Sequence, residues 1–194
     1  MYHISNDKRA KQSSELIWNG LVDCMNRKSF EEITVTDLQK ASGVARTTFY
    51  RAFDNISDVL YWKCDTCFRE ALSDCPPSMF LNEVDFAKHY FKYWMEHSKI
   101  LEWLIKINRQ DIIYACHMKN ANILQDKYGA PNGLGIKNGD YFMAIRTGFT
   151  ISILTVWVKN GRKETPEEIA EIIKEQITII SKTAFINSRF TIDD

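Results

Sequence analysis

None of the four prolines precedes Pro76-Pro77, so nothing in the first 75 residues forces a helix to break. Glycine is also scarce. There are eight, and four of them fall between Tyr128 and Gly139, which marks that stretch as a loop. Charge of either sign is not in excess: 25 Lys and Arg balance 25 Asp and Glu. Residues 1–60 hold eight of each, so no part of the first third is basic in bulk. That excludes a polycationic tail, and any nucleic-acid contact has to come from local geometry. No alternating strand pattern, internal repeat or low-complexity tract occurs. GxSxG, HExxH, a P-loop and GxGxxG are missing, and no His/Cys set has zinc-finger spacing. The chain therefore offers no catalytic residue, no metal site and no cofactor site, and it does not read as an enzyme.

Met1 to Ala10 is polar and lacks the apolar stretch of a secretory signal. Five cysteines, an odd number, fit a reducing cytoplasm. Tyr141 to Val158 carries one charge, Arg146, but Thr147, Ser152 and Thr155 interrupt it. At eighteen residues it is at the short end for a span, and it reads as a buried helix.

The most constrained stretch runs from Ile33 to Leu60, ITVTDLQKASGVARTTFYRAFDNISDVL. Thr34 followed three residues later by Asp37 is a capping pair that opens a short helix. Val35, Leu38 and Ala41 share one face of it. Gly43 supplies the positive φ of a tight inter-helix turn, and Val44 plugs the gap. A second helix buries Phe49 and Phe53, four residues apart. Arg46, Thr47, Thr48, Tyr50 and Arg51 remain outside, a set suited to phosphates and base edges. Thr36, at the start of the first helix, is placed to touch a phosphate. The grammar is that of a helix-turn-helix.

These residues resemble the DNA-binding domain of the TetR/AcrR family of transcriptional regulators. The matching positions are Phe30, Ile33-Thr34-Val35, Asp37-Leu38, Ala41, Gly43-Val44, Thr47 or Thr48, Phe49-Tyr50, Phe53 and Asp58-Val59-Leu60. The resemblance implies an all-α homodimer: a three-helix head, and a larger helical body that binds a small molecule and releases a palindromic DNA operator. Three positions depart from the family pattern. Ala45 stands where the family usually has a capping Ser, a loss of about 1 kcal/mol at the helix start. Asp54 and Ile56 stand where it often has Lys, which weakens the phosphate clamp.

The remainder reads as helices over about Asp7 to Arg27, Asn55 to Ser73, Asn82 to Glu96, Ser98 to Ile107, Arg109 to Lys127, Asp140 to Asn160, and from Thr165 onward. Ile17, Leu21, Cys24 and Met25 face inward on the first. Ser98 is a candidate cap. Thr165, Pro166 and Glu168 are a strong start signal for the last, whose Ile169, Ile173, Ile177, Ile180 and Ala184 follow helical spacing. The expected division is a head over 1–54, a connecting helix over 55–75 and a body over 76–194.

Three features of the body bear on function. Gly148, Ser152 and Thr155 form a small-residue stripe, and the last helix is apolar on more than one face. With Ile173, Ile177 and Ile180 they mark the expected dimer surface, or else a helix buried inside one subunit. Trp94, Tyr114, His117, Phe142 and Arg146 are the candidate ligand site, drawn from a body rich in aromatics with polar tips, Tyr90 among them. Ordinary core packing is the competing reading for each. Cys64 and Cys67 form a CxxC on a helix, either a redox or metal switch or two small buried residues.

Three readings follow. The first is a regulator, most simply a repressor, released from DNA by a small, mainly apolar ligand. The second is a helix-turn-helix regulator controlled by a protein partner. The third is an enzyme with a degenerate head, for which no residue argues.

Overall fold

The computed structural model describes residues 1–5, 7–73, 83–128 and 139–182; the side chains of 83, 121–128, 139–140 and 142 lie outside that description. So do the Pro76-Pro77 break, the Asn82 helix start, the glycine-rich loop over 129–138, the Phe142 side chain and Ala184. The described elements are helices: α1 (Lys8–Met25), α2 (Val35–Ser42), α3 (Arg46–Ala52), α4 (Ile56–Ser73), α5 (Glu83–His97), α6 (Lys99–Lys106), α7 (Gln110–Tyr128), α8 (Gly139–Lys159) and α9 (Pro166–Lys182), with a 3-10 turn at Phe30–Glu32. The only extended pairing among the described residues is a single antiparallel bridge between Tyr2 and Phe53. No described helix is long and apolar enough to cross a membrane.

Local chemistry explains where the helices of the head begin and end. Asp7 caps α1 by accepting the Arg9 N–H at 3.2 Å. Ile17, Leu21, Cys24 and Met25 then fall on one buried face. Gly20 lies where α1 crosses α2. A Cβ there would sit 2.9 Å from the Ser42 backbone nitrogen, so the crossing tolerates no side chain. At the start of α2, Asp37 accepts the Thr34 N–H at 2.8 Å while Thr34 Oγ1 accepts the Asp37 N–H at 3.2 Å. This is the reciprocal cap expected from the sequence. Gly43 ends α2 at φ +70°. Half-buried Val44 packs on the head core.

α4 joins head to body. Asn55 and Asp58 cap it reciprocally, each accepting the other's N–H at 3.1 Å. Val59, Leu60, Trp62, Cys64, Cys67, Phe68 and Ala71 are all buried, because α4 packs on α1 on one side and on α7, α5 and α6 on the other. α7 in turn packs on α8, and α5 runs along α9. α6 inserts Ile100, Leu101, Trp103 and Leu104 into this body.

The α5–α6 turn departs from the sequence reading at one residue. Ser98 has helical backbone angles and makes no capping hydrogen bond. Its hydroxyl instead donates to Glu102 at 2.8 Å and accepts from Arg162, which also reaches the Met95 carbonyl at 3.1 Å and Glu102 at 3.0 Å. Arg162 arrives from a tight corner with φ +55°, just after Gly161 at +80°. The corner thus ties the start of α9 to the α5–α6 turn. Thr165 and Glu168 cap α9 as the sequence indicates.

Candidate nucleic-acid interface and body site

The helix-turn-helix divides its residues cleanly between two faces. Phe49 and Phe53 are 2% and 0% exposed, their rings 5.7 Å apart. Phe53 meets Trp62 of α4 edge-on at 5.9 Å, so the end of α3 is packed directly on the connecting helix. Arg46, Thr47, Tyr50 and Arg51 face solvent on α3, and Thr36 does so on the first turn of α2. Thr48 is half-buried at the border. Tyr50 is exposed but not loose: its ring stands edge-on against Phe49 at 5.3 Å. Ala45 holds the N-cap position of α3 with no side-chain hydrogen bond; its carbonyl alone serves the cap, accepting the Thr48 and Phe49 N–H groups at 3.0 Å.

Three cations that the sequence reading did not single out lie beside this surface. Arg27, Lys28 and Lys40, with Cys24, Asp37 and Ala41, line a cleft of about 340 Å³ between the end of α1 and α2. Lys28 bonds Asp37 at 2.6 Å. That contact, with the hydrogen bonds from Thr34, holds the Asp37 carboxyl well below the usual carboxylate range. The cap of α2 is therefore tied by an ion pair to the segment that follows α1. In the sequence, the only sign is that Lys28 and Lys40 flank the capping pair.

In the body, Trp94, Tyr90, Phe68 and His117 form one buried cluster. Phe68 packs edge-on against Trp94 at 4.9 Å and His117 at 5.4 Å, and Tyr90 lies 6.1 Å from Trp94. His117 Nδ1 lies 3.3 Å from Thr147 Oγ1. Burial, with the nearby charge of Arg146, pushes the His117 imidazole down to about 4, so it is neutral. The Arg146 guanidinium lies 5.8 Å from the ring of Phe86, which stacks on Tyr90 at 5.7 Å. Two polar atoms in this cluster, Tyr90 Oη and Trp94 Nε1, are buried and find no hydrogen-bond partner among the described residues. Such groups are rare and costly. Of the five expected ligand residues, the structure brings together Trp94, His117 and Arg146. Tyr114 is 41% exposed, because α7 buries Ile112, Ile113, Cys116, His117 and Asn120 and turns position 114 outward. Tyr90, one turn before Trp94 on the same face, is buried in this cluster.

Cys64 and Cys67 of the CxxC are both free, buried thiols. Burial, with the neighbouring Cys116 of α7, pushes the Cys64 thiol well up; burial likewise pushes Cys67 up to about 11. Both are buried thiols without the thiolate character of a reactive cysteine. No group of three or more His, Cys, Asp or Glu among the described residues could hold a metal ion.

The outer face of α8 and α9 is apolar and open. Tyr141, Ile145 and Val156 on α8 are 74%, 73% and 58% exposed, and Ile172, Ile177, Ile179 and Ile180 are exposed on α9. Ser152 is exposed beside them, while Gly148, Thr155 and Ile173 are half-buried. A Cβ at Gly148 would meet nothing within 4 Å, so packing inside the protomer gives no reason for a glycine there.

Residues 82–178 match a family model of the TetR type, described as a transcriptional regulator C-terminal region. The chain is also similar to the HTH-type dhaKLM operon transcriptional activator DhaS of Lactococcus lactis subsp. lactis (strain IL1403). The two are 28% identical over 69 residues, 36% of this chain and 37% of that protein. The match thus spans little more than a third of that relative's length.

Proposed function

This chain belongs to the TetR family of helix-turn-helix transcriptional regulators, and from that premise we propose that it is a homodimeric, sequence-specific repressor, released from a palindromic operator in the cytoplasm by a small, mainly apolar ligand. The observation that carries the DNA side is the two-faced α3: aromatics locked inward, Arg46, Thr47, Tyr50 and Arg51 presented outward on a rigid base. Arg46 and Tyr50 reach base edges, with Thr47, Thr48, Arg51 and Thr36 at the groove margin and the phosphates. Arg27 and Lys40 add to the local positive field, since Lys28 is neutralised by Asp37.

The ligand side rests on Tyr90 Oη and Trp94 Nε1. Two buried polar groups, turned toward each other and otherwise without partners among the described residues, framed by rings and flanked by neutral His117 and by Arg146, suit a flat apolar compound with a hydrogen-bond acceptor, such as a carbonyl or carboxylate. Such a ligand sits between α5, α7 and α8 and tilts α4. The tilt changes the separation of the two α3 helices, which DNA holds at about 34–36 Å, one helical turn, or a multiple of it. Ligand and operator then weaken each other's binding by the same factor.

Selection from random duplex DNA tests this reading, since it calls for a palindrome. On that sequence, Arg46→Ala should cost about 1–3 kcal/mol and relax preference at one position per half-site. A uniform loss with a salt slope lowered by about one would make Arg46 a phosphate contact instead. The name of the Lactococcus relative favours a second reading, in which the same DNA-bound dimer activates transcription. A reporter with the selected site placed upstream of, or overlapping, the promoter separates the two. Tryptophan fluorescence with a small-compound library, with and without operator, tests the coupling. Quenching that is identical in both states removes it, and a body closed to every compound shifts control to a protein partner.

A further inference from the structure

We propose that residues 1–4 form a strap that fixes the end of the recognition helix to α7 of the body, with Tyr2 as its positioning residue. At one end the strap is held by backbone. The His3 N–H donates to the carbonyl of Ala52, the last residue of α3, at 2.8 Å, and Tyr2 pairs with Phe53 as a single antiparallel bridge. His3 Nε2 lies 3.1 Å from Asp54 just beyond. At the other end it is held by Tyr2. Its hydroxyl donates to the Asp65 carboxylate of α4, its ring tilts against Tyr61 at 6.2 Å, and the Lys119 ammonium of α7 lies 5.5 Å from that ring.

Asp65 is why this end is firm. It is 2% exposed in the middle of α4. A buried carboxylate has to be satisfied, and beyond Arg69 of α4 itself, at 3.9 Å, the groups that hydrogen-bond to it come from two other segments. Tyr2 comes from the strap; Lys119, at 3.1 Å, and Asn120, at 2.9 Å, come from α7. Asn120 also bonds the Cys116 carbonyl, which stiffens it. Burial pushes the Asp65 carboxyl up, yet the hydrogen bonds of Tyr2, Lys119 and Asn120 outweigh it, and the group titrates low and stays charged. Any movement of α7 against α4 has to rearrange this cluster. Through Tyr2 and His3 the rearrangement reaches Ala52 directly.

The head is therefore not free to swing about α4. α4 is the covalent route between body and head, and the strap is a second, non-covalent one that ends on the recognition helix itself. Only the final arm of the test below rests on the DNA-binding reading.

The test uses the full chain and two variants. Tyr2→Phe removes the hydroxyl and keeps the ring. His3→Pro removes the N–H to Ala52, and the ring contact to Asp54 with it, while keeping the Tyr2 hydroxyl. Spin labels carried by unnatural residues at exposed Asn19 and Lys99 report the head–body distance distribution. Wild type should give one narrow distance; both variants should broaden it, and amide exchange across 49–53 should speed about fivefold or more. A merely structural role would lower the thermal midpoint and leave the distribution of the folded protein narrow, which overturns the proposal. In the DNA arm, wild type should select one half-site spacing and the variants should accept neighbouring spacings. If wild type selects no DNA while the distance distributions still broaden, the strap stands and the DNA reading fails. If spacing stays unique and distances stay narrow in both variants, the strap fails alone.

Discussion

His117 shows what single residues contribute in the body. Its imidazole is neutral because burial and Arg146 hold it down to about 4, whereas in an unfolded chain it titrates near 6.5. Between those values the unfolded chain takes up a proton that the folded chain refuses. The stability that depends on a neutral imidazole is thus whole above about pH 6.5 and is lost as pH falls towards 4. From pH 7 to 5 the loss should be about 2 kcal/mol. Urea titrations at both pH values check this. The wild-type midpoint should drop between them, and His117→Asn, which cannot protonate in this range, should drop less. An equal drop would mean that the pH dependence lies elsewhere, and would remove His117 as the neutral wall of a ligand site. At this scale the sequence said little. A histidine on a helix looks the same whether it meets solvent or, like His117, three buried groups: Phe68, Tyr90 and Thr147.

Single helices were far more legible, and α3 shows how far. Its inward aromatics and outward polar set could be named from spacing alone, because a two-turn helix between a left-handed glycine and a buried Phe53 has one possible phase. Its weak point was also visible. Ala45 leaves the first turn uncapped, so Ala45→Ser should raise stability by about 0.5–1 kcal/mol, read as a higher denaturant midpoint with an unchanged slope. No gain would show that the first-turn donors already have partners. Where sequence reading of elements went astray, the cause was distance along the chain. Ser98 has the right residue type for a cap, yet Arg162, 64 residues away, claims its hydroxyl. Tyr114 is on the expected helix but on its outer side. The docking of residues 1–4 was invisible, since four residues carry no period, and Asp65 reveals its need for partners only once it is buried.

At the scale of the whole molecule, the apolar outer faces of α8 and α9 stand uncovered among the described residues. We expect two copies to cover it about a two-fold axis, with Gly148 and Ser152 allowing close approach. Ser152→Arg would then place a charge in a dry interface. Light scattering at micromolar concentration should find dimer for wild type and monomer for the variant, with DNA binding strongly weakened; a wild-type monomer would defeat the assignment. Such a pairing also bears on how much address the molecule carries. α3 has seven residues, about 10 Å of helix at 1.5 Å per residue, which lies against about three base pairs. Two such readers held at one fixed spacing specify about six base pairs, a pattern that recurs by chance about once in 4,000. Were the spacing free to take several values, matching sites would be that many times more frequent. Part of the address is therefore written in length rather than in letters, as the spacing between the two half-sites. A ruler is only as informative as it is stiff, so each contact that steadies α3 against the body enlarges the address the protein can read.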